Sequence, residues 1–80
     1  MTHIEWKKPV ACAHPRMGYV EVHGPFEALA LLTDGWPIMS GRHFIQARTS
    51  CRAALADHVP AEQARQAFEK AVGEATQVVH

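Results

Sequence analysis

Glycine and proline cut this chain into short pieces, and the cuts leave room for few folds. Pro15 and Gly18 mark a turn, Gly24-Pro25 a helix start, Gly35 with Trp36-Pro37 a helix stop, and Pro60 a further start. Between the cuts the apolar pattern changes period. "PVACA" (residues 9–13) and "GYVEVHG" (18–24) read as strands, the second alternating Tyr19, Glu21 and His23 with Val20 and Val22. The spacing predicts a hairpin with Val10, Cys12, Val20 and Val22 facing the core.

After Gly24 the period becomes helical. Gly24 suits the N-cap, Pro25 the first helical position and Glu27 the first turn, and Phe26, Leu29, Ala30 and Leu32 give a largely apolar helix. That helix stops near Asp34: Gly35 offers a left-handed cap, and Pro37 pushes Trp36 out of the helical region. Ser40 is the expected N-cap of a second helix, with Phe44, Ala47, Cys51, Ala54, Leu55 and His58 as its apolar stripe. Pro60 opens a third, with Glu62 in its first turn and Ala64, Ala67, Phe68, Ala71, Val72 and Ala75 as its stripe. Arg65–Glu69 and Lys70–Glu74 are spaced to pair on its flank. The β-prone tail, Thr76–Val79, is left with two readings: a short C-terminal strand beside the hairpin, or a frayed end. The fold class is therefore α+β: an N-terminal β-hairpin, then three helices, with that strand as an optional addition to a small antiparallel sheet. Eighty residues allow one domain, 1–80, with residues 1–8 and 79–80 left open to fraying.

Landmarks along the chain, in order, are "PV" at 9–10, "EAL" at 27–29, "WP" at 36–37, Gly41, Ala47, Cys51, "AL" at 54–55, "ARQAF" at 64–68 and "EA" at 74–75. Together they resemble the bacterial domain-of-unknown-function family 982 over nearly the whole chain. The resemblance implies a compact α+β domain in a bacterial cytoplasm and carries over no catalytic residue. One departure is "ADHVP" at 56–60, where members of the family have a glycine after the alanine-leucine pair; it bears on how the second helix ends.

Charge narrows the function. Lysine plus arginine and aspartate plus glutamate are 8 each, so the formal charge is zero, against the basic excess of a dedicated nucleic-acid binder. Six histidines make the charge sensitive to pH between about 5 and 7. The opening "MTHIEWKKPV" lacks the apolar stretch of a secretory signal, and the longest apolar run, Ala28 to Leu32, is far short of the roughly 20 residues that span a bilayer. A cytoplasmic location, reduced thiols and no membrane partner are expected.

Chemistry is sparse. Cys12 and His14 form one close Cys-x-His pair, whereas a zinc site usually takes two, so no metal and no cofactor are assigned. Cys51, midway along an apolar stripe, reads as a core thiol. No nucleophile, base and orienting group occur at a motif spacing, so no catalytic residue is assigned and the reading leans away from an enzyme. Arg42, Arg48, Arg52 and Arg65 are the grounds for a nucleic-acid-associated regulator, which the zero charge disfavours.

The stretch "GWPIMSGRHF" (35–44) has two readings. In one, Trp36 closes the core and Pro37 stiffens a connector. In the other, Trp36, Arg42 and His43 rim a site for a small anionic ligand or a partner's carboxylate, since the start of a helix favours an anion. Arg42 and His43 at that position oppose the helix dipole unless an anion sits there. The function expected overall is a non-enzymatic interaction or regulatory module, its partner left open between a second copy of the chain and another protein. The small core and alanine-rich helix faces favour self-association as a homodimer.

Overall fold

In the computed structural model, which describes residues 5–14, 18–33, 36 and 41–78, the elements follow the predicted order. Strands β1 (Val10–His14) and β2 (Gly18–Val22) pair antiparallel, and helices α1 (Pro25–Thr33), α2 (Arg42–Leu55) and α3 (Ala61–Val78) follow. The register sets Val10 opposite Val22 and Cys12 opposite Val20, so these four share one face, as their alternation predicts. Val10, Cys12 and Val22 are buried and Val20 is half-buried against them.

α1 starts where the Gly24-Pro25 pair predicts, with the Ala28 N–H donating to the Gly24 carbonyl at 3.0 Å. Glu27 reaches back past the cap, its Oε1 accepting from the amide of His23, the residue before Gly24, at 2.7 Å. The Thr33 hydroxyl closes the last turn by donating to the Leu29 and Ala30 carbonyls. The buried side of α1 is Pro25, Ala28 and Leu32, a spacing of three and four; Phe26 points the other way and is 66% exposed. A helix apolar nearly all round does not reveal from its own sequence which face is buried.

α2 and α3 form the main helix pair. Phe44, Ala47, Cys51 and Ala54 of α2 meet Ala64, Phe68 and Ala71 of α3, all essentially without solvent exposure. The small residues let the two backbones approach, and the two phenylalanines fill the remaining space. Leu55 and His58, expected in the α2 stripe, are exposed because the helix ends at Leu55. The chain leaves α2 through a Schellman turn: the His58 N–H donates to the Ala53 carbonyl at 2.8 Å and the Asp57 N–H to that of Ala54 at 3.0 Å. Asp57 takes the left-handed conformation there, with φ 65°, at the position where glycine is commonest. The "ADHVP" departure thus falls on the one residue of the turn that favours glycine.

Two ends of the chain depart from expectation. The tail is neither strand nor frayed through Val78: α3 continues to that residue. Adding a residue to an existing helix takes one dihedral pair and returns one hydrogen bond, which outweighs the weak β preference of Thr76, Val78 and their neighbours. At the other end, Trp6 belongs to the core at 7% exposure, within a stretch left open to fraying. Its backbone N–H donates to the His23 carbonyl at 2.6 Å, fastening residues before β1 to the chain just after β2. Trp6 and Trp36 both pack on Phe68, with ring centroids 5.9 and 5.6 Å from it.

Candidate functional site

The start of α2 carries the residues singled out in the sequence. Ser40, the expected cap, lies outside the described residues, as do Asp34, Gly35, Pro37, Ile38 and Met39. Gly41 occupies the cap position and offers no side-chain cap bond. Its φ of 104° and ψ of 155° fall in a region essentially confined to glycine. Arg42 is exposed and His43 is half-buried. The His43 Nδ1 is buried without a hydrogen bond to the protein, as is the Trp6 Nε1. Trp36 is 6% exposed, its ring tilted 49° against Phe68, so most of its surface is spent on the core.

No acidic residue lies in the first turn of α2, but one comes from α3. The Glu74 carboxylate rests against Gly41, so that a β-carbon built there would stand 2.9 Å from its Oε1. The chain thus places its own negative charge at the positive end of α2. This accounts for a helix that opens on Arg42 and His43. The expected Lys70–Glu74 pair is not formed; among the described residues the ion pairs of α3 are Arg65 with Glu62 at 2.7 Å and with Glu69 at 3.3 Å. The Arg65 guanidinium, bonded to Glu62, holds that carboxyl below its usual range. Nothing in the local sequence pairs Gly41 with Glu74, since the two lie on different helices.

Gly41→Ala is expected to cost about 1–3 kcal/mol of stability, the price of a strained backbone. Urea unfolding measures it. The double variant with Glu74→Ala should recover only a few tenths, because the carboxylate is the movable end of a long side chain. Full recovery would place the strain in the contact rather than in the backbone.

Both cysteines are buried thiols, as the stripe predicts for Cys51. Burial pushes the Cys51 thiol up from 9.0 to about 12, and raises Cys12 as well. Such thiols are protonated at neutral pH and are poor nucleophiles. The sign of the pH effect follows. Below pH 9 the thiol is protonated in both states; above it, the unfolded chain ionises first, so stability falls as pH rises toward about 12. The expected slope is up to about 1.4 kcal/mol per pH unit. Urea midpoints at about pH 8 and about pH 10 should separate more for the native chain than for Cys51→Ala. Equal separation would show that the thiol ionises in place.

Among the described residues, no three histidine, cysteine, aspartate or glutamate side chains converge as a metal site. Of the arginines that suggested nucleic acid, Arg65 is tied to two carboxylates and Arg48 lies 5.4 Å over the Phe44 ring; Arg42 and Arg52 are exposed. No described helix is long and apolar enough to cross a membrane.

Among the described residues, two grooves of about 300 Å³ open on the surface. One lies by the start of α3, lined by Glu5, Trp6, Lys7, Ala61 and Glu62. The other, between β2 and α1, is lined by Val20, Glu21, Val22, Glu27, Ala30 and Leu31. In the elements that wall this second groove, Tyr19 of β2 is 77% exposed and Phe26 of α1 is 66% exposed, though neither lines it. Sequence reasoning missed this region. Its signal was present in an edge strand and a helix apolar on both sides, but neither is distinctive alone.

Comparison with known proteins gives one match. Neither the curated proteins nor the solved structures yield one. A family model described as protein of unknown function (DUF982) matches residues 8–79. That span runs from just before β1 to the end of α3 and holds every landmark of the sequence resemblance, so the chain belongs to the DUF982 family.

Proposed function

We propose that this protein is a non-enzymatic interaction module that works by docking a protein partner on the β2–α1 side. The observation that carries the reading is the exposure of Tyr19 and Phe26, at 77% and 66% the most exposed of the large apolar side chains among the described residues, ahead of Ile45 at 52% and Leu55 at 36%. The sheet supports it, since β2 pairs only with β1 among the described residues and keeps its other edge open. We place the protein in a bacterial cytoplasm, in line with its sequence resemblance. Self-association as a homodimer is one form such docking takes, favoured by the small core.

The test is capture from the native extract with the purified chain and with the double variant Tyr19→Ser, Phe26→Ser. A protein recovered by the first and lost with the second supports the reading, provided circular dichroism shows both folded. Equal recovery overturns it. Recovery of nucleic acid in place of protein favours a nucleic-acid-associated regulator. Light scattering that gives a monomer mass at micromolar concentration removes the homodimer form.

A second reading, a binder of a small anion at Trp36, Arg42 and His43, draws on the unpartnered Nδ1 of His43 beside exposed Arg42. The Glu74 carboxylate against Gly41 competes with such a ligand. Titration with inorganic phosphate decides. Saturable binding lost in Arg42→Ala supports this reading, and no saturable signal removes it.

A further inference from the structure

We infer that the groove between β2 and α1 is a slot for one added β-strand, and that its occupant is an extended segment of a partner protein alternating apolar and basic residues. This rests on the interaction reading above and names the chemistry of the partner.

The lining fixes where the groove lies. Val20, Glu21 and Val22 are consecutive, and consecutive strand residues point to opposite faces. A groove touching all three therefore runs along the edge of the strand rather than over one face. The opposite wall is Glu27, Ala30 and Leu31, one stripe of α1 at three- and four-residue spacing. An edge strand facing a helix across an open groove is the geometry in which a peptide adds to a sheet, its backbone bonding to the free edge. That edge is open here: among the described residues no backbone hydrogen bond leaves β2 except toward β1.

Alternation then sets the chemistry of the guest. On the core face of β2 stand Val20 and Val22, continued across the groove by Ala30 and Leu31, so residues of the guest on that face are apolar. On the solvent face stands Glu21, 61% exposed, and Glu27 closes the groove at 55% exposed. Between them lies His23, whose Nε2 is 3.8 Å from Glu21 and whose Nδ1 is 3.2 Å from Glu27. The rim carries the two carboxylates of Glu21 and Glu27 and no lysine or arginine, which selects lysine or arginine on that face of the guest. A second copy is the poorer occupant. Its own β2, "GYVEV", brings a carboxylate and no cation.

The test uses the isotopically labelled full chain and three synthetic pentapeptides with blocked ends, followed through backbone amide signals. Val-Lys-Val-Lys-Val should shift the amides of Val20, Glu21, Val22, Ala30 and Leu31 saturably. Val-Glu-Val-Glu-Val should bind at least about tenfold more weakly, and so should the lysine peptide with alternate amides methylated to remove its backbone donors. The variant Glu21→Gln, Glu27→Gln, which keeps the acceptor for the His23 amide, should lose most of the preference for lysine. Absence of saturable shifts at Val20 to Val22, equal binding of the glutamate peptide, or shifts elsewhere overturns the slot. So do concentration-dependent shifts of the same amides without peptide, which would seat a second copy there. If the slot fails while capture still depends on Tyr19 and Phe26, the interaction reading stands and only its edge geometry falls. If capture fails as well, both fall.

Discussion

Phe68→Ala is expected to remove about 3–5 kcal/mol, the usual cost of truncating a buried phenylalanine, and to lie near the upper end of that range. The residue is fully buried, and its ring is the surface on which both Trp6 and Trp36 pack. Each aromatic contact adds about 0.5–1.5 kcal/mol beyond the area it buries. Removing the ring therefore costs the transfer of one side chain and leaves two indoles without their neighbour. A domain of 80 residues has about 4–12 kcal/mol in total, so the variant is marginal or unfolded at room temperature. Phe68→Leu keeps most of the volume and should stay within about 1.5 kcal/mol. Urea unfolding of both variants decides. A loss for Phe68→Ala under about 1 kcal/mol would show that the tryptophans are held by something else.

That ring also shows where sequence reading succeeds and where it stops. Phe68 is legible, because it sits at helical spacing with Ala64 and Ala71, and the α2 stripe is legible for the same reason. The hairpin is legible because its alternation and its turn residues agree. Trp6 is not: it precedes the first strand, in a stretch with no period, and its partners in the core, the His23 carbonyl and the Phe68 ring, lie far along the chain. The face of α1 is hidden by an excess of signal, since almost every residue is apolar, and the exposure of Phe26 follows from packing the sequence does not state. The candidate site divides likewise. Arg42 and His43 could be marked as anomalous at the start of a helix, but their resolution lies in Glu74, on another helix and 32 residues beyond Arg42. The β2–α1 groove needs two elements at once, and neither Glu21 nor Glu27 looks unusual within its own segment.

Trp36→Ala is the companion result, expected to cost about 3–5 kcal/mol and so to declare Trp36 a core residue first. The indole is 6% exposed and 5.6 Å from the Phe68 ring, leaving little of it to serve as the wall of an open site. Arg42 is exposed, and Arg42→Ala should change stability by no more than about 0.5 kcal/mol. This asymmetry separates packing from recognition. Were the three residues one anion site, Trp36→Phe, which keeps an aromatic wall, would retain phosphate binding while Arg42→Ala lost it at unchanged stability. The core role predicts instead that Trp36 and Phe68 couple to each other. Trp36→Phe and Phe68→Leu, mild enough to leave the chain folded, should combine with an interaction energy of about 0.5 kcal/mol or more, whereas Trp36→Phe and Arg42→Ala should simply add. Additivity at the first pair would remove the ring contact from the forces that place Trp36. It would also free that side chain for the loop site the sequence first suggested.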